Sequence, residues 1–99
     1  MSNSIYWFQQ MIRDKIDHTK LGEQMLRFKI YGEEKTVYLP FTDEYEINSD
    51  VILKVSKLGA NILVFPTSWC RATREAIDYG RTLGVEVIPV GAFMAKYAS

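Results

Sequence analysis

Apolar residues along this chain switch between helical spacing and strict alternation, and the switches mark out its elements. Over residues 4–18, Ile5, Phe8, Ile12 and Ile16 follow the i, i+3, i+7, i+11 spacing of one helix face. Trp7 and Met11 form a second apolar pair beside that stripe, so this helix carries more apolar surface than one core contact uses. A helix apolar over much of its circumference is covered on two sides, and a second copy of the chain is the expected cover.

Alternation follows in "MLRFKIYGEEKTVYLPF", residues 25–41. Leu26, Phe28 and Ile30 interleave with Arg27 and Lys29, the two-residue period of a half-buried strand. "YGEEK" predicts a hairpin turn, after which Val37, Leu39 and Phe41 alternate again. Pro40 belongs at the end or edge of that strand, because it has no N–H for the ladder. Thr42, Asn48 and Ser49 are candidate caps for a helix striped by Ile47, Val51, Val55 and Leu58 and stopped by Gly59.

"NILVF" is a continuous apolar run, the pattern of a strand covered on both faces. The spacing of Trp69, Ala72, Ala76, Gly80 and Leu83 predicts a helix from about Thr67 or Ser68 to Gly84. "VEVIPV" is the last strand, and "FMAKYA" predicts a terminal turn of helix. The order is α-β-β-α-β-α-β: an α/β or α+β fold with a small mixed sheet of about four strands and flanking helices. The final strand-helix-strand unit is expected to be a right-handed parallel crossover. No linker or repeat divides residues 1–99, so a single domain is expected.

Composition sharpens this reading mainly by exclusion. With 47% hydrophobic and 24% charged residues, the chain has globular rather than disordered composition. Twelve basic and twelve acidic residues cancel, so attraction to nucleic acid needs a local patch rather than net charge. Residues 31–60 are the acidic third, with Asp43, Glu44, Glu46 and Asp50 close together. The dipole of the helix that follows accounts for that cluster, and no metal site is expected from its spacing. The start, "MSNSIYWFQQMIRDK", has no basic stretch followed by a long apolar one. No apolar run approaches the roughly 20 residues needed to cross a bilayer. A cytoplasmic protein with no membrane partner and no cofactor is expected.

Chemistry concentrates in "PTSWCR", residues 66–71, where a strand is expected to pass into a helix. Ligands of open α/β sheets sit at such junctions, and free N–H groups at a helix start attract anions. Thr67, Ser68, Arg71 and Arg74 together form a candidate anion site. Arg71, Arg74, Asp78 and Arg81 would share one helix face. The competing reading is structural: a hydroxyl caps the helix, Trp69 packs in the core, and the arginines pair with Glu75 and Asp78. Cys70 is the one cysteine, so no intrachain disulfide forms, and a buried inert thiol is preferred to a nucleophile because no base is in sequence reach. His18 and Asp14, four residues apart, would face the same way on the first helix, but two residues do not make a metal site.

Residues 59–94, "GANILVFPTSWCRATREAIDYGRTLGVEVIPVGAFM", resemble the C-terminal part of Mrr-like restriction endonucleases. That family runs a strand into a Thr/Ser turn, a helix rich in Arg, Glu and Ala, an "LGV" corner and a final strand. The resemblance implies a restriction-endonuclease-like fold; the family cuts DNA with an Asp and a Glu-x-Lys on hairpin strands, which bind a divalent metal and activate water. Here the equivalent strand reads Val37-Tyr38-Leu39-Pro40-Phe41, and Glu33, Glu34 and Lys35 fall in the expected turn, so a fold without the catalytic set is implied. "WC" before a helix is also similar to TIR domains, whose catalytic Glu stands three residues after the Cys; Thr73 stands there in this chain, and Glu75 two further on. The expected function is therefore non-catalytic protein–protein interaction as a homodimer, with Trp7 and Met11 at the interface. Nucleic-acid or nucleotide-phosphate binding through residues 67–74 is the alternative, and an enzyme using Cys70 or Glu75 the third.

Overall fold

Ile62, Leu63, Val64 and Phe65 are buried without exception, and the molecule is layered about this strand. The computed structural model describes residues 4–40 and 43–98. Phe41 and Thr42, expected as an inward strand residue and a candidate cap, lie outside the described residues. The elements are α1 (Ser4–Ile12), β1 (His18–Lys20), β2 (Met25–Ile30), β3 (Glu33–Tyr38), β4 (Glu46–Ile47), α2 (Ser49–Lys57), β5 (Ile62–Phe65), β6 (Arg71–Ala72), α3 (Arg74–Leu83), β7 (Glu86–Pro89) and α4 (Val90–Tyr97).

Five strands form a mixed sheet in the order β1-β2-β3-β5-β7, and β4 pairs with β6 in a separate parallel ribbon. The β1-β2-β3 pairs are antiparallel, whereas β3-β5 and β5-β7 are parallel and connected through helices. The α/β fold expected from the periodicity is present, with one more strand in the main sheet and a ribbon that alternation did not reveal.

Strand pleating sends successive side chains to opposite faces, which divides the interior in two. On one face Leu26, Phe28, Val37, Leu39, Ile62, Val64 and Ile88 pack with Ile5, Phe8 and Ile12 of α1 and Phe93 of α4. Phe93 meets Phe8 and Phe28 edge-on, with ring centroids 5.2 and 5.8 Å apart, a geometry worth roughly 0.5–1.5 kcal/mol per pair beyond burial. On the other face Tyr38, Leu63, Phe65 and Val85 pack with Ile52 and Val55 of α2 and Ala76 of α3. The sheet thus lies between α1/α4 and α2/α3.

Several boundaries differ from the periodic reading. α1 stops at Ile12, where its carbonyl accepts the N–H of both Lys15 and Ile16. Ile16 is buried with the α1 stripe, but from beyond the helix. His18 and Asp14 do not share a helix face: His18 lies on β1 opposite Phe28, with Nδ1 3.1 Å from the Ile16 carbonyl and Nε2 3.1 Å from Gln9 Nε2. Pairing with β2 takes His18, Thr19 and Lys20 into the sheet, whereas Asp14 lies in the turn after α1.

The hairpin turn is shorter than "YGEEK". Tyr31 and Gly32 both have positive φ, 51° and 81°, the requirement of a tight two-residue hairpin turn. Glu33, Glu34 and Lys35 consequently lie on β3, where they pair with Ile30, Lys29 and Phe28. Asn48 caps α2, its side chain accepting the Val51 N–H at 3.1 Å, and Gly59 follows that helix at φ 87°.

The largest correction concerns α3, which starts at Arg74 and not at Thr67 or Ser68. Thr73 is its cap, accepting the Ala76 N–H at 3.0 Å. The ribbon holds the preceding residues extended: Arg71 N–H donates to the Tyr45 carbonyl at 3.0 Å and Thr73 N–H to the Ile47 carbonyl at 3.1 Å. Local spacing could not show this, because the competing partner lies 26 residues earlier in the chain. Gly84 ends α3 in the left-handed region, as the sequence pattern predicts. The terminal turn of helix is the full helix α4.

Candidate functional site

Parallel strands β3 and β5 end at Tyr38 and Phe65, and the segments leaving them, residues 43–47 and 66–73, meet beyond those ends. Tyr38 is fully buried on the α2/α3 face, and a buried phenol needs partners. Its hydroxyl donates to Glu44 Oε1 at 2.8 Å and accepts from Gln24 Nε2 at 2.9 Å. The same Gln24 amide reaches the Leu39 carbonyl at 3.1 Å. The Lys54 ammonium, from α2, is bonded to Glu44 Oε2 and lies 5.4 Å from the centroid of the Tyr38 ring.

These groups fix one another's protonation. Burial pushes the Tyr38 phenol up; the hydrogen bond to Lys54 opposes that and the Glu44 charge adds to it. Burial would lower Lys54, but its bonds to Glu44 and Tyr38 outweigh that and hold the ammonium more basic than usual. The site therefore keeps a neutral phenol beside the Lys54 ammonium.

Cys70 lies beside this network, buried, with Sγ 3.3 Å from the Glu44 carbonyl oxygen, to which it donates. Burial pushes its thiol up to about 11, the Glu44 charge adds to the rise, and the Arg71 N–H opposes it. At neutral pH it is a thiol rather than the nucleophilic thiolate. Glu75, in the first turn of α3, is exposed.

Thr67, Ser68 and Trp69 form an exposed turn that precedes the ribbon, not a helix start. Trp69 is 37% exposed, so it does not pack in the core as expected, and Tyr45 on the adjoining segment is 66% exposed. Arg71 projects from β6 and pairs with Glu46 at 3.3 Å. It does not share a helix face with Arg74, Asp78 and Arg81. Those three do lie together, with Asp78 between Arg74 at 3.7 Å and Arg81 at 3.5 Å. Of the anion-site residues, Thr67, Ser68 and Arg71 lie within five positions on one connecting segment, and Arg74 begins the helix after it.

Trp7 and Met11 part company. Trp7 is 43% exposed next to Tyr6 at 64%, whereas Met11 packs partly against the chain's own core. The acidic cluster also divides: Asp50 occupies the first turn of α2, as its dipole favours, Glu44 joins Tyr38 and Lys54, and Glu46 joins Arg71. Among the described residues no three His, Cys, Asp or Glu side chains are grouped as metal ligands are. Also among them, no helix is long and apolar enough to cross a membrane.

The Gln24-Tyr38-Glu44-Lys54 network escaped the sequence reading. Its one legible signal was Tyr38 itself, a polar-tipped residue opposite in phase to Val37 and Leu39 within a strand covered on both faces.

No family model matches the chain, and no curated protein matches it. A solved crystal structure, that of PH0822, is similar at 21% identity over 77% of this chain and 73% of that one, with a TM-score of 0.38. That likeness is too loose to carry a functional argument.

Proposed function

We propose that the protein acts by recognition, pairing with a second copy of itself through the outer side of α1. The observation that carries this reading is the half-exposed Trp7 beside exposed Tyr6, on a helix whose opposite side is already buried as Ile5, Phe8 and Ile12. Trp and Tyr are the residue types that dominate interface energetics when they are desolvated by a partner. The groups best suited to bond-breaking are committed to each other: the Cys70 thiol is held protonated, and Glu44 is bonded to Tyr38 and Lys54. Met11, at the margin of this surface, contributes to the fold as well as to the face.

Sedimentation equilibrium tests the reading. The wild-type chain is expected to dimerise, and Trp7→Ala to weaken the dimer by tenfold or more, since a hot-spot residue is worth about 2 kcal/mol or more. A wild-type chain that stays monomeric at every accessible concentration removes the proposal.

Binding of a phosphate-bearing ligand, single-stranded nucleic acid included, through residues 67–74 is favoured by a separate observation. Trp69 and Tyr45 stand exposed on the two segments joined by the ribbon, next to Thr67, Ser68 and Arg71. Exposed rings with adjacent cations are what base stacking and phosphate contact use. On this reading a short oligonucleotide binds with an affinity that falls as salt rises, and Trp69→Ala with Arg71→Ala abolishes it.

A further inference from the structure

At the opposite end of β5 from the 66–70 turn lies a cleft of about 400 Å³, within the size range of small-ligand sites. Its polar lining is Lys35 from β3, Asn61 just before β5, Arg81 from α3 and Glu86 from β7, with Ile77 and Val87 among its apolar walls. We infer that this cleft binds a small organic anion, a carboxylate or a phosphate monoester carrying an apolar body.

The argument is a surplus of donors. Asn61 Oδ1 accepts the Thr36 N–H at 2.8 Å, which fixes the amide and directs Nδ2 away from β3. That NH₂ has no acceptor among the described residues, and the Lys35 ammonium makes no hydrogen bond or ion pair among them. Arg81 has one long contact, to Asp78 at 3.5 Å, and Asp78 also serves Arg74. The single carboxylate lining the cleft, Glu86, is already occupied. Lys96 Nζ donates to its Oε2 at 2.7 Å and the Tyr97 hydroxyl to its Oε1 at 2.6 Å. Burial alone would raise the Glu86 carboxyl; those two bonds outweigh it, and the charges of Lys96 and Lys35 help to keep it ionised and satisfied. With Glu86 taken up by Lys96 and Tyr97, the Lys35, Arg81 and Asn61 donors are open to an anionic ligand, and Ile77 and Val87 offer contact to the remainder of it.

The test is an amide-resolved NMR titration of the full chain with phenyl phosphate, with phenylacetate, and with neutral benzyl alcohol. Saturable shifts at Asn61, Gly84 and Glu86 are expected with at least one anion, and which anion is tighter identifies the headgroup. The alcohol is expected to bind at least about tenfold more weakly, as is either anion to the Lys35→Gln, Arg81→Gln double variant. Both substituted side chains lie at the surface, and unchanged spectra elsewhere establish that the variant is folded. If the variant does not fold, raising the salt concentration with wild-type protein replaces it, and binding must weaken. Absence of saturable shifts, equal binding of the alcohol, undiminished binding by the folded variant, or indifference to salt each overturns the assignment.

Discussion

The Tyr38 hydroxyl donates to Glu44 Oε1 at 2.8 Å, so the end of a buried strand is tied to the acidic loop that follows it. Tyr38 is 0% exposed, and its hydroxyl has no access to water as a substitute acceptor. Lys54 approaches the same carboxylate from a half-exposed position. Tyr38 and Lys54, both bonded to Glu44, therefore differ in what loss of the contact leaves behind.

Glu44→Ala is expected to destabilise the fold by about 1–3 kcal/mol, because it removes the acceptor of a buried donor. Lys54→Ala should cost less than about 1 kcal/mol, the usual range for a partly solvated ion pair. Thermal unfolding resolves the two, at roughly 4–8 °C per kcal/mol for a chain of this size. Equal losses in both variants would show that the ion pair, rather than the phenol, sets the energetics of this corner.

Cys70 supplies a pH signature with a definite sign. Its folded value of about 11 lies above the ordinary thiol value of roughly 8.5. The thiol is the form that the fold favours, so its contribution is complete below the unfolded value and is lost as pH rises toward 11. Wild-type protein should lose more stability across that alkaline window than Cys70→Ala does. Alkylation of the native thiol should likewise be slow at pH 8 and fast after unfolding. Identical alkaline slopes for the two proteins would contradict the assignment.

The start of α3 makes a third prediction. Thr73→Ala removes a side-chain cap bonded to the Ala76 N–H and should cost about 1 kcal/mol, within the 0.5–2 kcal/mol range for such caps. Ser68→Ala, in an exposed turn, should change stability by less than about 0.5 kcal/mol. Chemical denaturation of both variants compares them directly. The reverse ranking would place the helix start where sequence spacing alone puts it.

Gly80 is the clearest case of packing opposing propensity. Alanine is the better helix former by roughly 1 kcal/mol. A Cβ at this position, however, would stand 2.6 Å from the Val85 carbonyl oxygen and 3.2 Å from Val87 Cγ2. Since the first of these is backbone, relief requires α3 to move off β7. Gly80→Ala should therefore destabilise by about 1–3 kcal/mol, measured as a lower denaturation midpoint. A stabilised variant would mean that α3 shifts freely on the sheet.

The sequence by itself determined the main buried strands and where α2 and α3 end. The Leu26/Phe28 and Val37/Leu39 alternations, the apolar run of β5 and the glycine after each of α2 and α3 are local signals. Period, burial and left-handed φ are properties of a few neighbouring residues, so they could be read without a partner. Only the tertiary structure decided where α3 begins, because residues 71–73 are held extended by carbonyls of residues 45–47. It also decided that Arg71 meets Glu46 rather than Asp78, that Met11 faces inward while Trp7 does not, and that Gln24, Tyr38, Glu44 and Lys54 form one network. Each of these depends on contacts between residues far apart in the chain, and the energy of such contacts is set by distance and burial, which no local pattern of residues encodes.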